Sequence, residues 1–427
     1  MNNPDAELTQ SELPLVSRRT KVPVKAYGYD IAGVFFNGSS IRGRSTPIYA
    51  VRTTDKPNKL MALKLSCQHA RRININIEKE IQGLIKGKDI GVLASYSIIE
   101  NYALSSQVNP LQRWRGCLPE KSTQFGLEER LLNAKLLELK RPICFFWSIQ
   151  DFVMGVRGAL LGHQWLVHQG ILHSDVSENN IVLACVPWEG QRGYIIDFDN
   201  AIYYTKDANL DVAASVKKRQ SRSERYRANR QATSNQKHYA ELRTGTTPYM
   251  SINVLTNRNH RPSDDVESFF YVLLLFIFSY CRPQERQEQM LAATQGFTHT
   301  LGSGQPANLV VWPSKILKFS EGTYDDIAAA KTFMFNHSEK FLREAESGLV
   351  ARWQNRDLVD TYYELLNECF DVFAIEQEPG QVLRRVVTHS EFVEVIDAWL
   401  ASEDSSVPID GFNQCPFKDE KTGKFAI

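Results

Sequence analysis

The chain has 427 residues, 43% of them hydrophobic, and 50 Lys plus Arg against 49 Asp plus Glu leave a formal net charge of +1. That length can bury two cores, and near-neutrality argues against wholesale binding to nucleic acid or to an anionic membrane, so any electrostatic function must be local. The seven cysteines are scattered with no C-x-x-C pair, which suits free thiols in a reducing compartment rather than a zinc or disulfide framework.

Met1 to Lys25 mixes charged and polar residues without an apolar stretch and is read as a disordered tail, not a secretory signal. From Tyr27 to Glu100, short runs (Ile48 to Val51, Leu60 to Leu65) predict strands. Ile73, Ile77, Ile81 and Leu84 then recur at three or four residues and predict one amphipathic helix. Residues 101–128 are polar and contain proline, as a loop insertion would. Leu131 to Leu139 and Pro142 to Trp147 can be two further strands, and Ile149 to His168 reads as a long helix. Short β-like runs follow at Ile171 to His173, Asn180 to Leu183 and Gly193 to Ile196, and helical patterning dominates from Asp265 onward. Strands early and helices late give an α+β plan with two lobes: a β-rich N-lobe with one helix over 26–148 and a mainly helical C-lobe over 149–427. The longest apolar run, Phe269 to Tyr280, is short of the roughly 20 residues a membrane span needs, so a protein without membrane attachment, intracellular in the cytoplasm or nucleus, is expected.

The chemistry concentrates in Ile171-Leu172-His173-Ser174-Asp175-Val176-Ser177-Glu178-Asn179-Asn180. Phosphoryl transfer needs a carboxylate to take the attacking hydroxyl's proton and oxygen ligands to hold magnesium on the phosphates. Asp175 would be the base and Asn180 a metal ligand. Asp197, directly after the apolar Tyr194-Ile195-Ile196, would be a second ligand. Either Asp alone could simply cap a turn; both together with Asn180 favour the catalytic reading. Lys64 ends the run Met61-Ala62-Leu63 and could neutralise nucleotide phosphates if a helix glutamate holds its ammonium. Glu80 and Glu78 both lie on the predicted helix, and Glu80 is preferred because Leu84 then sits one turn on. Taken alone, Lys64 could equally be an edge lysine reaching water.

Lys64, Asp175, Asn180 and Asp197 fall in protein-kinase order, and the region from Pro142 to Tyr280 resembles the fungal-type protein kinase family. The resembling pieces are Leu172 to Asn180, Ile196 to Asp199, Gly245-Thr246-Thr247-Pro248-Tyr249-Met250, and Asp265 to Leu273. The resemblance implies an ATP- and Mg2+-dependent kinase acting on a protein hydroxyl, serine or threonine ahead of tyrosine. It also implies an activation segment closed by Gly245 to Met250, and an Asp265 that bonds the backbone around His173. Four positions depart from the kinase pattern: Ser174 stands for Arg, Ser177 for Lys, Asp199 for Gly and Asn253 for Glu. In the phosphate-covering stretch Ile41 to Tyr49, Gly43 is the single glycine, Pro47 has no N–H to offer, and Arg42 or Arg44 could compensate by charge.

Residues 217–230 hold seven basic side chains and one acid, a loop that either attracts an acidic partner or is a solvated tether. Two other readings compete with a protein kinase: a pseudokinase that binds without turnover, and an aminoglycoside- or choline-type small-molecule phosphotransferase.

Overall fold

The computed structural model describes residues 25–26, 29–36, 48–53, 60–69, 75–94, 97–102, 130–185, 191–204, 245–256, 258–286, 312–378 and 381–402. Gly43, Arg42, Arg44, most of the insertion at 101–128 and the basic stretch 217–230 lie outside them.

The first part is a six-stranded antiparallel sheet in the order β1-β2-β3-β4-β6-β5, built from β1 (Lys25–Ala26), β2 (Tyr29–Phe36), β3 (Ile48–Thr53), β4 (Leu60–His69), β5 (Ser97–Tyr102) and β6 (Arg130–Glu138). Side chains alternate between the faces of a strand. Met61, Leu63 and Leu65 of β4 therefore share one face with Ala134 and Leu136 of β6, and with Tyr49 and Val51 of β3 they form a small apolar core. Lys64 and Lys135, directly opposite each other across β4 and β6, point to the other face. There α1 (Ile75–Ile85) buries Ile77 and Ile81 in the main core of the molecule.

A short extended pair, β7 (Arg141–Pro142), leads into a 3-10 turn at Ile143–Phe145, where the sequence had suggested a strand running to Trp147. Arg141 explains the difference. Its buried guanidinium donates to the Phe145 carbonyl at 2.6 Å and curls the chain back around itself, while also pairing with Asp151.

The second part is mainly helical. It comprises α2 (Ile149–His168), β8 (Ile171–Leu172), β9 (Ile181–Leu183), β10 (Gly193–Ile195), β11 (Ile202–Tyr203), α3 (Ile252–Leu255) and α4 (Pro262–Ser279). It continues with α5 (Ser314–Leu317), α6 (Tyr324–Asn336), α7 (Ser338–Trp353), α8 (Arg356–Phe373), β12 (Ala374–Glu378), β13 (Gln381–Arg384) and α9 (His389–Ser402). The architecture is α+β and two-lobed, kinase-like in its plan. The β12–β13 hairpin interrupts the helices expected after Asp265.

Two features of this part fix the site. First, α2 starts at the Ser148 cap, which accepts from Asp151 N, and carries Gly155, Gly158 and Gly162 along one face. A Cβ on Gly193 would sit 1.8 Å from the Gly155 carbonyl, and one on Gly162 would sit 2.1 Å from that of Gly91. The missing side chains let β10 and the Gly91 turn lie directly on the helix, which sets the height at which Asp197 emerges. Second, α4 is buried from Asp264 to Ser279, as a helix apolar all round must be. Its acids, Asp264 and Asp265 in the first turn and Glu267 just after, are spent on neighbouring backbone and side chains.

Lys331 of α6 is fully buried and donates to the carbonyls of Pro248 at 2.8 Å and Met250 at 2.5 Å, with its Nζ 3.7 Å from the centre of the Tyr271 ring. It braces the stretch Thr246 to Met250 from below. Asn253 bonds Asp264 Oδ2 at 2.9 Å and the Asn259 carbonyl, a local tie that needs no distant arginine. Among the described residues no helix is long and apolar enough to cross a membrane, and the run Phe269 to Tyr280 lies in and just beyond the buried α4.

Candidate active site

Asp175 sits on the loop between β8 and β9, with donors on both oxygens of its carboxylate. Asn200 Nδ2 donates to Oδ2 at 2.8 Å, while Thr246 donates to Oδ1 from its backbone N at 3.1 Å and its hydroxyl at 3.3 Å. Asn180 Nδ2 donates to the Asp175 carbonyl at 2.7 Å, which fixes the amide and directs its oxygen away from that bond. His173 accepts from Asp175 N at Nδ1, so its Nε2 carries the proton and donates to the Ile196 carbonyl at 2.8 Å. Burial holds this imidazole below the usual histidine range, as a neutral ring with one donor and one acceptor requires. Its ring also meets Phe198 edge-on at 5.5 Å.

The Ile196 amide in turn donates to the Asn180 carbonyl at 2.9 Å, which brings the segment bearing Asp197 beside Asn180. Asp197 adopts φ 70°, in the left-handed region that an Asp tolerates better than most residues. Its Oδ2 lies 2.6 Å from Lys64 Nζ. Lys64 and Asp197 are therefore held beside the catalytic loop. Asn180 and Asp197 offer hard oxygens of the kind magnesium takes, and the buried Asp199 Oδ2 beside them accepts no hydrogen bond among the described residues. Among those residues no cluster of three or more His, Cys, Asp or Glu could cage a metal unaided. The donor set fits an ion that arrives with phosphate oxygens rather than one held by protein alone.

The glutamate tether differs from expectation. Glu80, the preferred partner of Lys64, is exposed and accepts from the Tyr203 hydroxyl at 2.6 Å. Glu78 is the buried one: the two glutamates flank the Ile77–Ile81 stripe on opposite sides, each about 80° from its middle, and the Glu78 side is the one that meets Lys135. Nor does Glu78 meet Lys64: it pairs with Lys135, which also pairs with Asp199. Lys135 and Asp199 thus belong to the site, and only the strand register reveals Lys135.

Beneath the catalytic loop, Asp265 receives Ser174 N at 3.1 Å and His163 Nε2 at 2.8 Å on Oδ2, and His260 Nε2 at 2.8 Å on Oδ1. Burial would raise this carboxyl, but His260 and His163 hold it well below the usual range. Ser174 takes φ 63° at this bend. Behind His163, His389 of α9 stacks at 2.6 Å ring nitrogen to ring nitrogen, and burial with His163 pushes it down to about 3. Glu178 was also missed as an anchor: it accepts from Tyr249 OH at 3.1 Å and from Tyr280 OH, and burial pushes its carboxyl up.

His260 supplies a pH test. Burial opposes its charge, yet Asp265 raises it above the ordinary value, so its contribution to stability is complete below about pH 6.5 and is lost as pH rises through the folded value. The melting-temperature gap between wild type and His260→Gln should be widest in that acidic range and close in alkali. A gap that widens with pH would contradict this assignment.

Residues 120–277 match the family model described as fungal protein kinase, a span that holds Lys135, Asp175, Asn180, Asp197, Asp199 and Asp265 but not Lys64 or Glu78. No curated protein matches the chain. Through that span, whose catalytic loop is hung on the first turn of a buried helix, the chain is similar to the fungal-type protein kinase family.

Proposed function

We propose that the chain is an ATP- and Mg2+-dependent protein kinase that transfers the γ-phosphoryl group to a protein hydroxyl. The observation that carries this reading is the convergence of Lys64, Asp175, Asn180 and Asp197 around one cleft. When bound, magnesium would neutralise charge on the phosphates, with Asn180 and Asp197 as its protein ligands.

The protein's own residues do the rest. Asp175, its carboxylate oriented by Asn200 and Thr246, receives the proton of the acceptor hydroxyl. Lys64 supplies positive charge at the phosphates. The stretch Gly245 to Met250, braced by Lys331 and Glu178, provides the surface on which a peptide lies. Serine or threonine, ahead of tyrosine, is the favoured acceptor. An acidic protein partner for the basic residues 217–230 belongs to the same proposal.

One observation favours a pseudokinase instead: Lys64 and Asp197 already neutralise each other at 2.6 Å. Incubating the full chain with labelled ATP, Mg2+ and a mixed protein substrate, alongside amino alcohols and aminoglycosides, separates the readings. Label in protein supports the proposal. Nucleotide binding without label transfer supports the pseudokinase, and label in the small molecules alone overturns the protein-kinase reading.

A further inference from the structure

Lys64 and Lys135 face each other across β4 and β6 and meet three carboxylates, Glu78, Asp197 and Asp199. The acids are divided between them unequally. Lys64 lies 2.6 Å from Asp197 and 3.9 Å from Asp199 Oδ2, whereas Lys135 holds Asp199 Oδ1 and Glu78 Oε2. The Lys135 side chain is 4% exposed and has a carboxylate on two sides, so it has no open direction toward a phosphate. Asp199 is the shared element, one oxygen on Lys135 and the other within reach of Lys64. Without Lys135, its nearest cation would be Lys64, and in so buried a place an ion without a partner draws in whatever counter-charge it can reach.

We propose that Lys135 is a positioning residue of this site: by binding Asp199 to Glu78 it prevents Asp199 from capturing Lys64, which stays on Asp197, where a nucleotide would meet it. The proposal rests on reading the cleft as a nucleotide site. It assigns to β6 the tie to helix α1 that sequence reasoning placed on β4. It also accounts for a carboxylate at position 199: Asp199 is the bridge between helix, sheet and metal-binding segment.

The test is a cycle of Lys135→Met, Asp199→Asn and the double variant in the full chain, read both as melting temperature without nucleotide and as Mg2+-ATP affinity by calorimetry. Lys135→Met removes the cation that Glu78 and Asp199 share and should melt lower by about 5 °C or more. It should also bind Mg2+-ATP about tenfold more weakly, because Asp199 takes Lys64. Adding Asp199→Asn removes the competitor, so the double variant should recover affinity to within about threefold of Asp199→Asn alone. A side chain that merely filled space would not be rescued in this way. Wild-type affinity in a folded Lys135→Met, or no recovery in the double variant, overturns the proposal. Should the wild-type chain bind no nucleotide, the kinase reading falls separately, and the melting cycle still decides: additive effects of the two substitutions would refute the tether, and non-additive ones would uphold it.

Discussion

Asp175→Asn should lower phosphoryl transfer about 10²–10⁴-fold while Mg2+-ATP affinity stays within a few-fold of wild type. The substitution removes the group that takes the acceptor's proton and nothing that touches the nucleotide. Its structural cost is small, because the amide oxygen can still accept from either Thr246 or Asn200, and only one donor is left facing an NH2. Losing one such bond costs about 1 kcal/mol. Rate, affinity and melting temperature measured on the same preparation therefore separate lost chemistry from lost fold. A variant that turns over at the wild-type rate would remove Asp175 as the base.

The largest effect on stability is expected at Asp151. This fully buried carboxylate receives Arg141 Nη1 at 2.8 Å and Nη2 at 3.2 Å, Arg192 Nη2 at 2.6 Å and Trp147 N at 3.0 Å. Burial would raise its pKa, but the two guanidinium groups lower it below the ordinary carboxylate value, so the stability it confers persists at neutral pH and is lost only as acid titrates it. Arg141 also lies flat on Trp147, its guanidinium carbon 3.6 Å from the ring centre, with no water to fall back on. Asp151→Ala strands that cation inside the protein, which costs about 3–5 kcal/mol and should lower the melting temperature by roughly 10 °C. An apolar replacement of both partners, Arg141→Met with Asp151→Leu, should recover part of the loss. If Asp151→Ala melted like wild type, the network would be ornamental.

Much of this architecture is legible from residue order. The helix Ile149–His168 is bounded in the sequence by a serine cap and a Gln169-Gly170 turn, and the folded helix has those limits. Asp175, Asn180 and Asp197 stand out because their polarity interrupts apolar, β-branched runs. Lys135 does not, since a lysine in Leu132-Asn133-Ala134-Lys135-Leu136 reads as an outward-facing strand residue until β6 is known to lie between β4 and β5. The alternation held the clue: position 135 is inward whenever Ala134 and Leu136 pack on the opposite face. Glu78 and Glu80 lie at equal angles on either side of the Ile77–Ile81 stripe, so the choice between them depends on Lys135, a residue of another strand. The hairpin β12–β13 escaped notice because its strands are short and polar, although Pro379-Gly380 is a turn signal. His163, Tyr249 and Tyr280 reach Asp265 and Glu178 from distant segments, where no local pattern could have paired them, whereas His260 stands only five residues before Asp265.

Lys331 has a consequence of its own. Burial drives its ammonium well below the usual lysine range, and the atoms that receive it are two carbonyl oxygens rather than an acid. With or without its extra proton the amine has an N–H for each of these oxygens, so the shelf Thr246 to Met250 is held by hydrogen bonds buried away from dissolved ions. The grip of α6 on that shelf should therefore depend little on ionic strength.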